Sequence, residues 1–237
     1  MTYRTLLLMT IAALLLLLAP PAHGQEEPSL GIDVQRFVPA GSERGFVLTW
    51  DGSGRDQKEF GLDVVLGLAR RPLSTVNGSG AVTAEAIELL FAGHAHAAIG
   101  ATDWLEIDLT MAFMQFARTG EGLDALGGGT GDNRVFSLGD MWLEARFQPL
   151  SQEKQGVNLG VAPFITFPTG NPNIFLTSGL PTLGVKVAVG RSWKHFRIGG
   201  HFGYRFTPGV AALASNFVGD DSLLFSAGVG VPPLPRK

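Results

Sequence analysis

The residues of this chain that could do chemistry are ionisable side chains spaced two apart. Glu106 and Asp108 form one such pair, Glu144 and Arg146 another, and His94 and His96 a third. In an extended strand, residues two apart share a face, so each pair presents its groups together. Asp63, Glu88, Asp140, Lys186, Arg197 and Arg205 occupy equivalent alternating positions. Acids dominate the earlier segments and bases the later ones. If the segments close on one another, the two sets meet inside. They then either line a charged pore or form ion pairs that fill a small interior, and eight strands leave room only for side chains. Paired carboxylates could also serve acid–base catalysis or Ca²⁺ ligation, but no second half of such a site is visible. His94 and His96, with His201, are the weak candidates for an imidazole metal site. Ordinary hydrogen-bonded interior histidines are the competing reading. Cysteine is absent, which excludes thiolate sites and cysteine nucleophiles. Gly127-Gly128-Gly129 does not join a strand to a helix, so it reads as a loop rather than a phosphate cradle. The expectation is a non-enzyme with no cofactor and no resident metal.

The elements that must carry these groups are strands. Leu105, Ile107, Leu109, Met111 and Phe113 alternate with Glu106, Asp108, Thr110 and Ala112. The same period of two recurs in eight segments: about 58–70, 86–101, 103–117, 135–148, 156–168, 181–192, 195–207 and 221–231. Short turns are expected near Thr102, between Pro149 and Gln155, and near Lys194. Longer loops cover 71–85, 118–134, 169–180 and 208–220. Most segments match the ~9–11 residues of a tilted transmembrane strand. Trp104, Trp193, Phe116, Tyr204 and Phe206 lie toward strand ends, as an interfacial aromatic girdle would, whereas Trp142 falls on the polar face. The expected fold is all-β, an antiparallel up-and-down transmembrane barrel. This chain supplies about eight strands, closing alone or as part of a larger barrel.

The remaining segments fit export. Arg4 precedes the apolar run Leu6 to Ala19, which Pro20 and Pro21 end, and Ala22-His23-Gly24 offers a cleavage site after Gly24. Residues 1–24 thus read as a signal peptide, shorter in its apolar part than the ~20 residues of a spanning helix. Residues 25–57 read as a periplasmic lead-in, a plug or an extra short strand around Phe46 to Trp50. Residues 58–231 form the barrel. The proline-rich tail 232–237 cannot be a central strand. After Gly24 no apolar run suits a membrane helix, so insertion requires a closed sheet. Charged residues are sparse at 16%, and the net charge of −3 gives no reason to expect a nucleic-acid partner.

Four stretches carry a resemblance: Ala98 to Ile107, Leu138 to Phe147, Phe164 to Gly170, and Gly203 to Phe206. They resemble the outer-membrane barrel that precedes an OmpA/MotB-type domain in OmpA-family proteins. They are also similar to the transporter-like barrels of the MetA pathway of phenol degradation. The resemblance implies the outer membrane of a Gram-negative bacterium, and an even number of strands there puts both termini in the periplasm. Its implied partners are outer-membrane lipid and the barrel assembly machinery. A peptidoglycan link is implied only through a domain that these residues do not include. The chain departs from the pattern in lacking a terminal aromatic residue and in having few strands. Three functions follow as expectations: a structural barrel with a plugged charged interior, a passive channel for small or hydrophobic solutes, and a soluble lipocalin-like ligand-binding barrel.

Overall fold

The computed structural model describes residues 40, 46–120, 134–170, 177, 180–207, 211–214, 217–219 and 221–231. The expected signal peptide 1–24, residues 25–39 and 41–45 of the lead-in, the triglycine loop and the tail 232–237 lie outside the described residues. Among the described residues there are eleven strands. They are β1 (Phe60–Val76), β2 (Val82–Thr102), β3 (Leu105–Thr119), β4 (Arg134–Ser137), β5 (Met141–Leu150), β6 (Asn158–Phe167), β7 (Thr182–Ser192), β8 (Arg197–Phe206), β9 (Ala211–Ala214), β10 (Phe217–Gly219) and β11 (Ser222–Gly230). One short helix, α1 (Gln152–Gln155), lies between β5 and β6. Nine strands form an antiparallel, open half-barrel in the order β1-β2-β3-β5-β6-β7-β8-β11, with β4 added beside β3. The strands β9 and β10 pair separately. Among the described residues no ladder joins β1 to β11. No helix among them is long and apolar enough to cross a membrane, which says nothing of a sheet.

All eight alternating segments are strands, with three departures. The expected loop 71–85 is mostly strand. Arg71 sits at φ 54°, and the ladder shifts register between Arg70 and Leu73. That bulge interrupts the alternation and hides the continuation, since an extra residue reverses the faces. The connection shrinks to the turn around Asn77, whose side-chain oxygen accepts from the Ser79 and Ala81 N–H groups at 3.0 and 2.9 Å. The segment 135–148 divides into β4 and β5 at Leu138 to Asp140. The loop 208–220 contains the β9–β10 hairpin. At the opposite end the connections are tight. The Gln152 side-chain amide exchanges two hydrogen bonds with the Ser192 backbone, at 2.7 and 2.6 Å, and so extends the β7 edge.

The two faces have opposite polarity, in the reverse of the soluble order. Phe60, Leu62, Val64, Leu66 and Leu68 of β1 point outward, with Leu68 69% exposed. Val185, Val187 and Val189 of β7, Phe202 and Tyr204 of β8, and Phe225 of β11 continue this convex apolar surface. The concave face holds His94, His96, Glu106, Asp108, Thr110, Glu144, Arg146, Thr166 and Lys186, all buried. Leu105 and Ile165 depart from the pattern, being buried although they alternate with the polar set.

The concave face is crossed by residues 46–57, which carry no strand and meet the strands one after another. Phe46 lies over Gly228 and Gly230 of β11, and Asp51 over Gly190 of β7 and Gly199 of β8. Gly52 lies against Gly160 of β6, the Gly54 N–H donates to Gln148 of β5 at 3.1 Å, and Asp56 lies on Gly100 of β2. From Thr49 to Asp56 an extended chain reaches at most about 25 Å. The six strand spacings it crosses would measure about 29 Å in a flat sheet. The sheet must therefore bend around this strap. Close approach is what the glycines provide. A methyl group on Gly100 would stand 2.0 Å from the Asp56 carbonyl oxygen, and one on Gly190 2.5 Å from that of Asp51.

Replacing Gly190 with Val should therefore push strap backbone from its seat and cost about 1–3 kcal/mol, as overpacking does. Gly78→Ala, which would meet nothing within 4 Å, should leave stability unchanged. Urea titrations of the two variants check this; equal midpoints would rule out the seat.

Candidate functional site

The candidate site is a chain of buried charges on the concave face, centred on Arg146. Five strands, β1, β2, β3, β5 and β7, and the strap position it. Glu106 and Asp108 project inward from β3 because they are two apart. Glu144 and Arg146 do the same from β5. The β3–β5 register sets Glu106 opposite Arg146 and Asp108 opposite Glu144, which brings acids and a base to one level. Lys186 follows from β7, where Gly203, its partner on β8, leaves room for its stem.

Arg146 is 2% exposed and divides its donors among five acceptors. Its Nη1 lies 2.8 Å from Asp108 Oδ2 and 3.1 Å from Glu106 Oε1. Its Nε donates to Glu144 Oε2 at 3.1 Å, and its Nη2 to the carbonyl oxygen of Ala40 at 2.6 Å. The fifth is aromatic: its guanidinium carbon stands 5.4 Å from the centroid of the Trp50 ring, a cation–π arrangement. Lys186 Nζ pairs with the other Glu144 oxygen and lies 5.4 Å from the Phe164 ring centroid. Phe164 in turn stacks on Trp142 at 5.1 Å. His96 bridges Asp63 at 3.3 Å through Nδ1 and Asp108 through Nε2. Such burial is tolerable only because each charge finds partners; stranding one would cost several kcal/mol.

Of the ten charged positions expected inside, six join this network: Asp63, Glu106, Asp108, Glu144, Arg146 and Lys186. Four stand apart. Asp140 is buried but accepts from the Gly170 N–H at 3.3 Å. Glu88 is part-exposed and pairs with Arg118 of the neighbouring β3. Arg197 covers the Phe46 ring at 4.5 Å. Arg205 donates to Ser222 Oγ at 3.0 Å. His94 and His96 are buried as expected from their shared face, but His201 accepts from the Trp50 N–H at 3.3 Å through Nδ1. Among the described residues no cluster of His, Asp and Glu is arranged to hold a metal.

The alternation did not point to Arg55 and Trp50. Arg55 belongs to the strap, and its N–H donates to Glu106 Oε2 at 2.9 Å. Its guanidinium lies 3.8 Å from Glu106 and 4.0 Å from Asp63. Trp50 is 1% exposed, with its indole N–H donating to the Ser53 carbonyl at 2.7 Å. A signal for both was present: inward-facing glycines such as Gly100, Gly160 and Gly190 leave a lane that some other segment must fill.

Chemically, the arrangement holds buried charges in fixed pairs. The chain matches no family model, no curated protein and no solved structure. The fold and site define an all-β, barrel-like protein with a charged interior.

Glu144→Leu should strand Lys186 and one Arg146 donor and cost about 3–5 kcal/mol. In the double variant with Lys186→Met the loss should be smaller than the sum of the single losses by about 1 kcal/mol or more. Chemical unfolding of the four proteins in the cycle measures the coupling; strictly additive losses would show the pair to be independent.

Proposed function

We propose that this chain is a structural outer-membrane β-barrel whose interior is occluded by its own ion pairs. The inversion of polarity carries this reading. A convex surface of Leu, Val, Ile and Phe surrounds a face of paired charges. In water, each of those exposed side chains forgoes about 1–2 kcal/mol of burial. In hydrocarbon the cost disappears, and the polar groups are already satisfied within.

Two features support the same environment. The strands β5 to β8 run 10 or 11 residues, the length of a tilted membrane strand. Aromatic residues gather toward both ends. Trp104 stacks on Phe147 and Trp193 on Phe196 near the short turns, while Phe116, Phe136, Tyr204 and Phe206 lie toward the other end. In this reading β1 pairs with β11, lipid covers the convex face, and the barrel assembly machinery inserts the protein with its short turns in the periplasm. The OmpA-family resemblance accords with it. A lipocalin-like carrier would need the opposite assignment of faces, apolar inward.

Fractionation should recover the protein in outer membranes, solubilised only by detergent. Purified protein in planar bilayers should give no steady single-channel conductance. A steady conductance would replace the occluded barrel with a passive channel, and recovery in the soluble periplasm would replace it with a soluble barrel.

A further inference from the structure

We infer that residues 46–57 form a displaceable closure of the short-turn mouth, and that unseating them gives the protein an ion-conducting state. The inference rests on the membrane reading above and extends it from a static plug to a second, open state.

The strap closes one end because of where it lies. It touches β11, β8, β7, β6, β5, β3 and β2 in succession before entering β1, and so covers the concave face from edge to edge. It is held by a different kind of contact from the strands. No ladder includes it. Backbone N–H groups of Trp50, Gly54 and Arg55 donate to the side chains of His201, Gln148 and Glu106. At the β11 end, the Thr49 and Ser226 hydroxyls touch, and the Ser226 hydroxyl donates to the Leu48 carbonyl at 3.1 Å. Such contacts break singly, whereas a ladder breaks cooperatively. The join to β1 is a turn rather than a continuous strand: Lys58 has φ 66°, and its N–H donates to the Gly100 carbonyl at 2.7 Å.

Withdrawal of the strap would do two things. It would vacate a lane floored by Gly100, Gly160, Gly190, Gly199 and Gly228, where the wall has no side chain to fill the space. It would also remove Arg55 from Asp63 and Glu106, and remove the Trp50 ring from Arg146. The charges that remain would then face water along that lane, which is the environment of an ion path rather than of a dry core.

The test is planar-bilayer recording in KCl. Trp50→Ala combined with Arg55→Ser should raise the open probability above wild type by about tenfold or more, the shift expected from losing a contact set that favours the seated state. Gly160→Val presses on Trp50 and Gly52 from the wall and deletes no charged group; it should act in the same direction. A Thr49→Cys/Ser226→Cys pair, in a chain with no other cysteine, places two sulfurs where the hydroxyls touch, within reach of a disulfide. Oxidation of that pair should return the Gly160→Val protein to wild-type silence, and reduction should reopen it. Inserted, folded variants that stay as silent as wild type would overturn the inference while leaving the occluded barrel standing. Failure of the wild-type protein to enter membranes at all would overturn both readings together.

Discussion

The burial of Arg146 is the constraint from which the rest of the structure follows. A guanidinium cannot be deprotonated in a protein and has five N–H donors to satisfy. On a concave face it needs acceptors from several directions. The β3 strand supplies Glu106 and Asp108, its own strand supplies Glu144, the strap supplies the Trp50 ring, and Ala40, bonded to the strap at Val47, supplies its carbonyl. Each acceptor then needs a second partner of its own. Glu144 takes Lys186, Asp108 takes His96, and Glu106 takes Arg55. The register of β3 on β5 cannot slip by one residue without turning Glu106 and Asp108 away from Arg146.

The apolar convex face is the counterpart of that requirement. Charges gathered inside leave the sheet's hydrophobic residues on the outside, so the curved sheet has no apolar core of ordinary size. The buried apolar residues touching the strap, Ala40, Trp50, Ala162 and Ala188, form one small cluster. Cohesion must come from ladders, ion pairs and curvature, and the strap contributes to the last two.

Much of this was legible in the residue order, and particular residues show where legibility stopped. The eight main strands and their inward sets followed from period two, because a strand places alternate side chains on opposite faces whatever its neighbours do. Trp142 could be placed inside on that ground alone. The union of Glu106 and Asp108 with Arg146 depended on the β3–β5 register, which local pattern does not encode. Strand β1 beyond Arg70 was hidden by a bulge at Arg71 that shifts the phase of alternation. Arg55 and Trp50 were the hardest to find. They lie in a segment with no periodicity, and their positions are determined by absent side chains elsewhere, the glycines of β2, β6, β7 and β8.

The strap also imposes an order in time. It precedes β1 in the chain, yet Thr49 meets Ser226 across 177 residues of sequence. Such a contact forms only after the intervening chain has been ordered, because loop closure over that distance is entropically costly beforehand. Until β11 is in place, the far end of the strap has no partner, and Arg146 and Glu106 await theirs. Seating the strap is therefore the closing event of folding. A chain that stalls before its last hairpin retains an unneutralised interior, which marks it as unfinished.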